Sequence, residues 1–206
     1  MTLLIVMDAL GGKNNSLRLF FGVELSEEVR GRVAEHIARL QENESSRGAR
    51  WDRVEKLHIT LNFLGETPVA RIENLICAAR KVIHEFSPFE LSVAGAGVFP
   101  PRGAARVLWL GIEDENGRLA ALQRRLEDEL AGEGFAREAR RFHPHLTLAR
   151  LQRASASDAK MLASAHAEAE FTSAPFAVAD FVLMQSELSA KGSRYSVVER
   201  FSLEAI

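Results

Sequence analysis

The sequence has 206 residues, of which 47% are hydrophobic and 26% are charged. A chain of this length can bury one sizeable core, and its composition is that of an ordinary soluble globular protein. The formal net charge of −2 argues against a broad, non-specific nucleic-acid surface but is compatible with a local basic patch. The single cysteine, Cys77, excludes an intrachain disulfide and is typical of a reducing compartment.

The N-terminal segment does not resemble a signal peptide. Residues 1–16 contain a short apolar run, interrupted by Asp8, and then a polar stretch rich in Gly and Asn. They lack a basic region and a small-residue cleavage site, so we interpret them as a flexible extension. Residues 17–206 are predicted to form a single domain. No segment approaches the roughly 20 apolar residues that cross a bilayer, so no membrane association is expected.

The first half of the domain begins with an apolar strand over 17–24. Ser26 then predicts a helix N-cap, with acidic residues in the first turn and apolar residues at helical spacing up to Leu40. Strands are predicted over 51–54 and 57–63. Thr67 followed by Pro68 is typical of a helix start, and the apolar face of that helix extends to Phe86.

The second half repeats this alternation of strands and helices. Strands are predicted over 89–98 and 107–112, and then a helix over 119–130, a strand over 145–151, a helix over 156–169 and strands over 176–184 and 195–203. Several of the strand connections are too short for parallel crossovers. The pattern therefore predicts an α+β protein with mostly antiparallel pairing. Cys77 is predicted to be a core residue, and His36, His84 and His166 are predicted to lie on helix surfaces.

Two copies of the tetrapeptide pattern H-x-T-L, in which x is any residue, are the most informative feature of the chain. His58-Ile59-Thr60-Leu61 and His145-Leu146-Thr147-Leu148 lie 87 residues apart, each in a predicted strand. Alternate residues of a strand point to the same face, so each copy presents one His and one Thr together. If the two strands are neighbours, two imidazoles and two hydroxyls meet in one cleft.

This set of groups suits cleavage of a phosphodiester. One imidazole can act as a base for the nucleophile while the other, protonated, acts as an acid for the leaving oxygen. The Thr60 and Thr147 hydroxyls can hold the non-bridging phosphate oxygens. The scheme requires no metal or other cofactor.

The spacing of His143 and His145 also fits a metal site, in which His58 would supply a third ligand. Neither motif carries an acidic residue, however, which disfavours this alternative. His143 is then either a structural residue or a contact to substrate. A third hypothesis is a non-catalytic binder built on the same cleft, although a pure binder has no need of two proton-transfer groups.

Two further residues are candidates near the motifs. Arg150 follows His145 by five positions, which places it on the opposite face of a regular strand unless the strand ends or bulges there. Phe63 follows His58 by the same interval and could stack on a base or belong to the core.

The sequence resembles the RNA 2′,3′-cyclic phosphodiesterases, long called 2′-5′ RNA ligases (LigT-like), within the 2H phosphoesterases. The resemblance covers nearly all of residues 17–203. It is carried by the stretches RLFFGVEL, RWDRVEKLHITLNFLGE, GAGVFPPRGAARVLWLGI, GFAREARRFHPHLTLAR and FVLMQSELSAKGSRYSVVERF.

The resemblance implies a bilobal α+β fold with two mostly antiparallel sheets, outer helices, pseudo-two-fold symmetry and a central cleft. It implies metal-independent hydrolysis of 2′,3′-cyclic phosphate on RNA ends or nucleotides to a 2′-phosphate, and 2′-5′ ligation of tRNA halves in vitro. In this family His58 would protonate the departing 3′ oxygen, His145 would activate water, and Thr60, Thr147 and Arg150 would contact the phosphate. The near-symmetric motifs also allow the two histidines to exchange roles. We further expect a cytoplasmic monomer.

Overall fold

The computed structural model describes residues 15–189 and 192–204. The predicted N-terminal extension therefore falls largely outside the described residues. The strands are β1 (Ser16–Glu24), β2 (Arg50–Trp51), β3 (His58–Pro68), β4 (Phe89–Phe99), β5 (Val107–Glu113), β6 (His145–Arg150), β7 (Phe176–Val178), β8 (Asp180–Ser189) and β9 (Gly192–Ser202). The helices are α1 (Glu27–Gln41), α2 (Ile72–Ile83), α3 (Arg118–Gly132) and α4 (Ala156–Glu168), with short 3₁₀ turns before β2, β3 and α2.

The strands form two antiparallel sheets. Sheet one has the order β3-β1-β8-β9, and sheet two has the order β2-β6-β5-β4-β7. In sheet one, β3, which carries His58, pairs with β1. In sheet two, β6, which carries His145, pairs with β5. The order β3-β1-β8 therefore corresponds to the order β6-β5-β4. The α+β class with mostly antiparallel pairing is therefore confirmed, and the two halves are related by a pseudo-two-fold arrangement.

Burial divides each motif strand between two environments. Ile59, Leu61, Leu146 and Leu148 lie in the hydrophobic core, which also contains the apolar faces of all four helices. The intervening His and Thr side chains are only partly buried and point away from that core. The alternation places the polar half of each motif on the side opposite the helices, as the two-residue period of a strand requires.

The start of α1 follows the prediction. The Ser26 hydroxyl accepts a hydrogen bond from the Val29 amide at 3.3 Å, and Glu27 and Glu28 occupy the first turn. An N-cap of this kind satisfies one of the free amides at a helix start. Ser155 caps α4 in the same way.

The predicted start of α2 is too early. Thr67 and Pro68 belong to the end of β3, where Thr67 pairs with Leu17 of β1. The Thr67 hydroxyl bonds to the Gly65 carbonyl and caps no helix. Because β1 continues to offer a backbone partner up to Ser16, the strand extends through these positions and α2 begins only at Ile72.

The strand predicted over 176–184 is in fact two strands. β7 pairs with β4 in sheet two, whereas β8 pairs with β1 and β9 in sheet one. The chain crosses between the sheets at Ala179 without a Gly or Pro that could mark the change in the sequence. Gly192 and Ser193, which precede the strand predicted over 195–203, are paired residues of β9.

Three burial predictions are wrong. Cys77 is exposed on α2 rather than in the core, whereas His36 and His166 are fully buried. His84 is exposed, as predicted, and pairs with Glu204. Within the described residues, no helix is long and apolar enough to cross a membrane.

Candidate active site

The two motifs meet at one cavity. His58 and Thr60 of β3 and His145 and Thr147 of β6 all line a cavity of about 340 Å³, a volume typical of small-ligand pockets. Sheet one supplies side chains from β1, β3, β8 and β9, and sheet two supplies β6 and the segment that follows β2. No α-helix contributes to the described lining. The polar faces of the two sheets therefore form a single cleft.

Both motif histidines are oriented in the same way. The Nδ1 of His58 donates to the Lys56 carbonyl at 2.8 Å, and the Nδ1 of His145 donates to the His143 carbonyl at 2.7 Å. A carbonyl oxygen only accepts, so each Nδ1 keeps its proton and each Nε2 is left to gain or lose one. The carbonyl two residues before each histidine thus fixes its tautomer and its ring plane.

Aromatic side chains hold the two imidazoles in place. The His58 ring lies 4.6 Å from Phe20 and 5.2 Å from Tyr195, measured between ring centroids. The His145 ring lies 5.1 Å from Phe99 and 6.3 Å from Trp109. Packing of this kind restricts rotation of each ring and so preorganises the two imidazoles.

Burial lowers the pKa of both motif histidines below the usual 6.5. At His58 the hydrogen bond to Lys56 and the charge of Glu24 oppose this effect, while Arg30 and His145 add to it. At His145 the hydrogen bond to the His143 carbonyl opposes it, while electrostatic interactions with the His143 side chain and Arg150 add to it. Both rings are therefore neutral near pH 7 in the free protein.

The cross-strand neighbours of the two histidines also differ. Glu24 is the cross-strand partner of His58, whereas Gly111 is the partner of His145. A carboxylate beside an imidazole favours its protonated form. His58 therefore has an acidic neighbour that His145 lacks.

The two motif threonines are free to bind an anion. Neither the Thr60 nor the Thr147 hydroxyl has a hydrogen-bond partner among the described residues, and both line the cavity. The two hydroxyls approach from opposite sheets, as they would to hold different oxygens of one phosphate.

A β-bulge brings Arg150 into the cavity. In the pairing of β5 with β6, Trp109 faces Thr147 but Leu108 faces Ala149, so Leu148 is the extra residue. Leu148 and Ala149 are consequently both buried, and Arg150 returns to the cavity side. The bulge therefore explains how Arg150 lies on the cavity side although it follows His145 by an odd number of residues. Arg150 has no ion-pair partner in the part of the chain that the structure describes.

Phe63 lies at the cavity rather than in the core. Its ring is 55% exposed and lines the cavity, and the Arg18 guanidinium sits 4.7 Å from its centroid. The guanidinium lies over one face of the ring, and a largely exposed aromatic ring is suited to stacking on a base.

His143 lies outside the cavity lining. It is exposed and packs edge-on against Trp109 at 4.9 Å, and its carbonyl orients His145. Across residues 15–189 and 192–204, no three side chains of His, Cys, Asp or Glu are grouped as a metal site requires. The alternative zinc site therefore lacks a donor set in this region.

Several cavity residues were missed from the sequence. These are Arg18, Phe20, Asp52, Lys56, Leu57, Ser186, Leu188, Ser193 and Tyr195. A signal was available for the first two, because Arg18 and Phe20 alternate with the buried Leu17, Leu19 and Phe21 on β1. Asp52 and Lys56 lie in an irregular segment, where the spacing of residues along the sequence does not predict which way a side chain points.

Charge in the cavity is predominantly positive. Arg18, Lys56 and Arg150 line it together with one carboxylate, Asp52. Burial raises the pKa of Asp52, while Arg150, Arg50 and Lys56 act in the opposite direction. A cavity of this charge attracts anions even though the whole chain is slightly acidic.

Two antiparallel sheets with one H-x-T-L strand each, meeting at a shared cleft, define the fold of the 2H phosphoesterases. The chain belongs to the 2′-5′ RNA ligase superfamily, whose family model matches residues 29–190. It is 36% identical to the RNA 2′,3′-cyclic phosphodiesterase of Methanothermobacter thermautotrophicus over 91% of this chain and 99% of the relative. It is 34% identical to the protein of the same name from Archaeoglobus fulgidus over 90% of this chain and 99% of the relative.

Solved structures share the fold over their full length. A Thermus thermophilus protein superposes with a TM-score of 0.72 at 28% identity, covering 91% of this chain and 98% of the other. Escherichia coli LigT, in a complex with 3′-AMP, gives a TM-score of 0.72 at 26% identity, covering 92% and 99%. The family resemblance noted from the sequence is thereby confirmed.

Proposed function

We propose that this protein hydrolyses 2′,3′-cyclic phosphates at RNA ends or on nucleotides to 2′-phosphates, without a metal ion. The observation that carries the proposal is the pair of Nε2 atoms, presented by His58 and His145 from different sheets to one cavity. The relatives named RNA 2′,3′-cyclic phosphodiesterase support the substrate class.

In the proposed reaction the cyclic phosphate is bound first. Thr60 and Thr147 donate hydrogen bonds to its non-bridging oxygens, and Arg150 supplies a positive charge close to them. These contacts stabilise the extra negative charge that develops as a nucleophile adds to phosphorus. The phosphate charge also raises the pKa of the nearby imidazoles, so one of them becomes protonated when substrate is bound.

Proton transfer then divides between the two histidines. His145 takes a proton from water as the oxygen attacks phosphorus, and His58 gives a proton to the departing 3′ oxygen. The family resemblance supports this division. The cation Arg150 near His145 favours the neutral base, whereas Arg30 and Glu24 act on the pKa of His58 in opposite directions. The bond from phosphorus to the 3′ oxygen breaks, and the phosphate remains on the 2′ oxygen.

The same geometry serves a ligation reaction. If the 5′-hydroxyl of a second RNA takes the place of water, the product is a 2′-5′ linkage and the proton transfers are unchanged. The remaining expectations, a monomer in the cytoplasm and a single domain over residues 17–206, are kept as parts of the proposal. The single cysteine of the sequence supports the location.

Product analysis tests the proposal. Purified protein is incubated with adenosine 2′,3′-cyclic phosphate in excess EDTA, and the product is compared with authentic 2′- and 3′-phosphates by chromatography. The proposal predicts only the 2′-phosphate, formed at a rate that EDTA does not change. Formation of the 3′-phosphate, or loss of turnover that zinc restores, would contradict it.

A further inference from the structure

Arg50 lies directly across from the cavity residue Arg150. Arg50 of β2 and Arg150 of β6 are register partners in antiparallel strands. Partners in such a pair project to the same face of the sheet, with Cβ atoms about 5 Å apart. Since the Arg150 side chain lines the cavity, Arg50 extends the same face beyond the cavity, toward the free edge of sheet two.

This placement of two like charges is costly unless an anion lies beside them. Directly opposed like charges on neighbouring strands destabilise a sheet. Neither arginine forms an ion pair with any residue that the structure describes, whereas many other arginines do, among them Arg80 with Glu199 and Arg125 with Glu85. Asp52 interacts electrostatically with both arginines but forms an ion pair with neither. The two guanidinium groups are therefore available to bind anions.

The geometry of the cleft indicates the path along which a bound chain would leave the cavity. Phe63, near Arg18, marks the part of the cavity lined by β1 and β3, and Arg150 marks the part lined by β6. β2 is an edge strand of sheet two, so no further strand lies beyond Arg50 to close the groove among the described residues. A chain that leaves the cavity past Arg150 next meets the Arg50 side chain.

We propose that Arg50 binds the phosphodiester on the 5′ side of the terminal nucleotide, so that the site prefers RNA ends to free nucleotides. The inference rests on the proposed function, because it takes the cyclic phosphate to lie between the two histidines. Arg150 then contacts the cyclic phosphate, and Arg50 contacts the next phosphate along the chain. Arginine suits this role since its planar fork binds phosphate through two hydrogen bonds.

Two substrates that differ by one phosphodiester isolate this contact. Adenosine 2′,3′-cyclic phosphate lacks a 5′ phosphate, and the dinucleotide ApA with a terminal 2′,3′-cyclic phosphate has one. For Arg50→Ala, kcat/KM on the dinucleotide is expected to fall about tenfold, as for a lost charge-assisted hydrogen bond, while kcat/KM on the mononucleotide is unchanged. Arg50→Lys should retain part of the preference, because it keeps the charge but loses the fork.

Arg80→Ala is the matched control, because it removes an exposed arginine from α2, a helix that does not line the cavity. It should leave kcat/KM on both substrates unchanged. The dinucleotide preference of the wild type should also weaken with added salt more than that of Arg50→Ala. Thermal melts of each variant establish that the fold is retained.

The outcomes separate the two proposals. If Arg50→Ala lowers kcat/KM equally on both substrates, or on neither, the role of Arg50 is refuted while the proposed function stands. If the wild type hydrolyses neither substrate, the proposed function fails. In that case binding of ApA carrying a terminal 3′-phosphate, measured by calorimetry, still decides whether Arg50 contacts the chain, because an unchanged Kd in Arg50→Ala would overturn the inference.

Discussion

Phe63 and Arg150 occupy corresponding positions in the two motif strands. Each lies five residues after its motif histidine, and each reaches the cavity because one residue bulges out of the strand ladder. In β3 the bulged residue is Leu61, since Gly22 of β1 faces Thr60 while Phe21 faces Asn62. In β6 it is Leu148. The bulges are therefore part of the internal symmetry.

The corresponding positions carry different chemistry. One half of the cleft offers an exposed aromatic ring and the other offers a guanidinium group. This difference breaks the symmetry of the His and Thr set. In the proposed function, a bound nucleotide would therefore have one direction, with its base toward Phe63 and its phosphate toward Arg150.

Replacement of Phe63 by alanine is expected to weaken binding of substrate. Loss of base stacking costs about 1–3 kcal/mol, so KM for adenosine 2′,3′-cyclic phosphate should rise about tenfold or more. Stability should change little, because the ring is largely exposed. Steady-state kinetics and a urea melt give the two quantities. Met161→Ala, which removes another exposed apolar side chain from α4, should change neither.

Loss of either motif hydroxyl is expected to slow the chemical step. Thr60→Val and Thr147→Val keep the shape of the side chain but remove the donor to the phosphate, and each should lower kcat by about 10²-fold. Thr67→Val on the same strand as Thr60, whose hydroxyl bonds to the Gly65 carbonyl outside the cavity, is the control and should keep kcat near that of the wild type. Equal kcat in all three variants would show that the hydroxyls do not contact the phosphate.

The pH dependence of kcat/KM follows from the lowered histidine pKa values. The free enzyme needs one neutral and one protonated imidazole, so activity falls at low pH as the base is protonated and at high pH as the acid loses its proton. Both pKa values lie below 6.5, and the maximum of kcat/KM is therefore expected on the acid side of pH 6.5. A maximum well above pH 7 would contradict the electrostatics of the site.

The sequence was sufficient to predict that the His and Thr side chains of the two motifs lie in one cavity. His58, Thr60, His145 and Thr147 alternate with buried residues in regular stretches of strand, where a period of two gives the direction of each side chain. It was insufficient for Arg150 and Phe63, because their direction depends on bulges. At each bulge two consecutive residues are buried. These are Leu61 and Asn62 in β3, and Leu148 and Ala149 in β6.

The buried histidines were missed although a signal was present. His36 lies on the same helical face as Val33, Ile37 and Leu40 of α1, and His166 follows Ala159 and Leu162 on α4 at helical spacing. Their polarity suggested a surface location. In the fold they bond to one another, which satisfies much of the polarity that burial would otherwise leave unpaired.

The hydrogen bonds of this pair determine its tautomers. The His166 Nε2 donates to the Trp109 carbonyl at 3.0 Å. Its Nδ1 is therefore an acceptor and accepts a hydrogen bond from the His36 Nε2 at 3.1 Å. The His36 Nδ1 then carries a lone pair and is buried without a partner among the described residues. A proton added there would find no acceptor.

Acid is therefore expected to destabilise the fold through this pair. Burial and the charges of His166 and Arg39 lower the pKa of His36 from 6.5 to about 4, and burial also lowers the pKa of His166. The unfolded chain binds more protons than the folded one in this range, so the stabilisation is complete above pH 6.5 and is lost as pH falls toward 4. The loss attributable to His36 is on the order of 3 kcal/mol.

Urea unfolding at a series of pH values measures this loss. His36→Leu should flatten the dependence of the unfolding free energy on pH between 6.5 and 4. Ile37→Val, a core substitution on the same helix without a titratable group, should lower stability by about 1 kcal/mol at every pH. A slope in His36→Leu equal to that of the wild type would assign the acid sensitivity to other groups.

Single and double replacement of the two motif histidines tests the central claim most directly. Turnover of adenosine 2′,3′-cyclic phosphate in EDTA is measured for His58→Ala, His145→Ala and the double variant, with melts to establish folding. If the imidazoles act together on one phosphate, each single variant loses at least about 10²-fold in kcat and the double variant is little worse than either. Near wild-type turnover in either single variant would contradict the account.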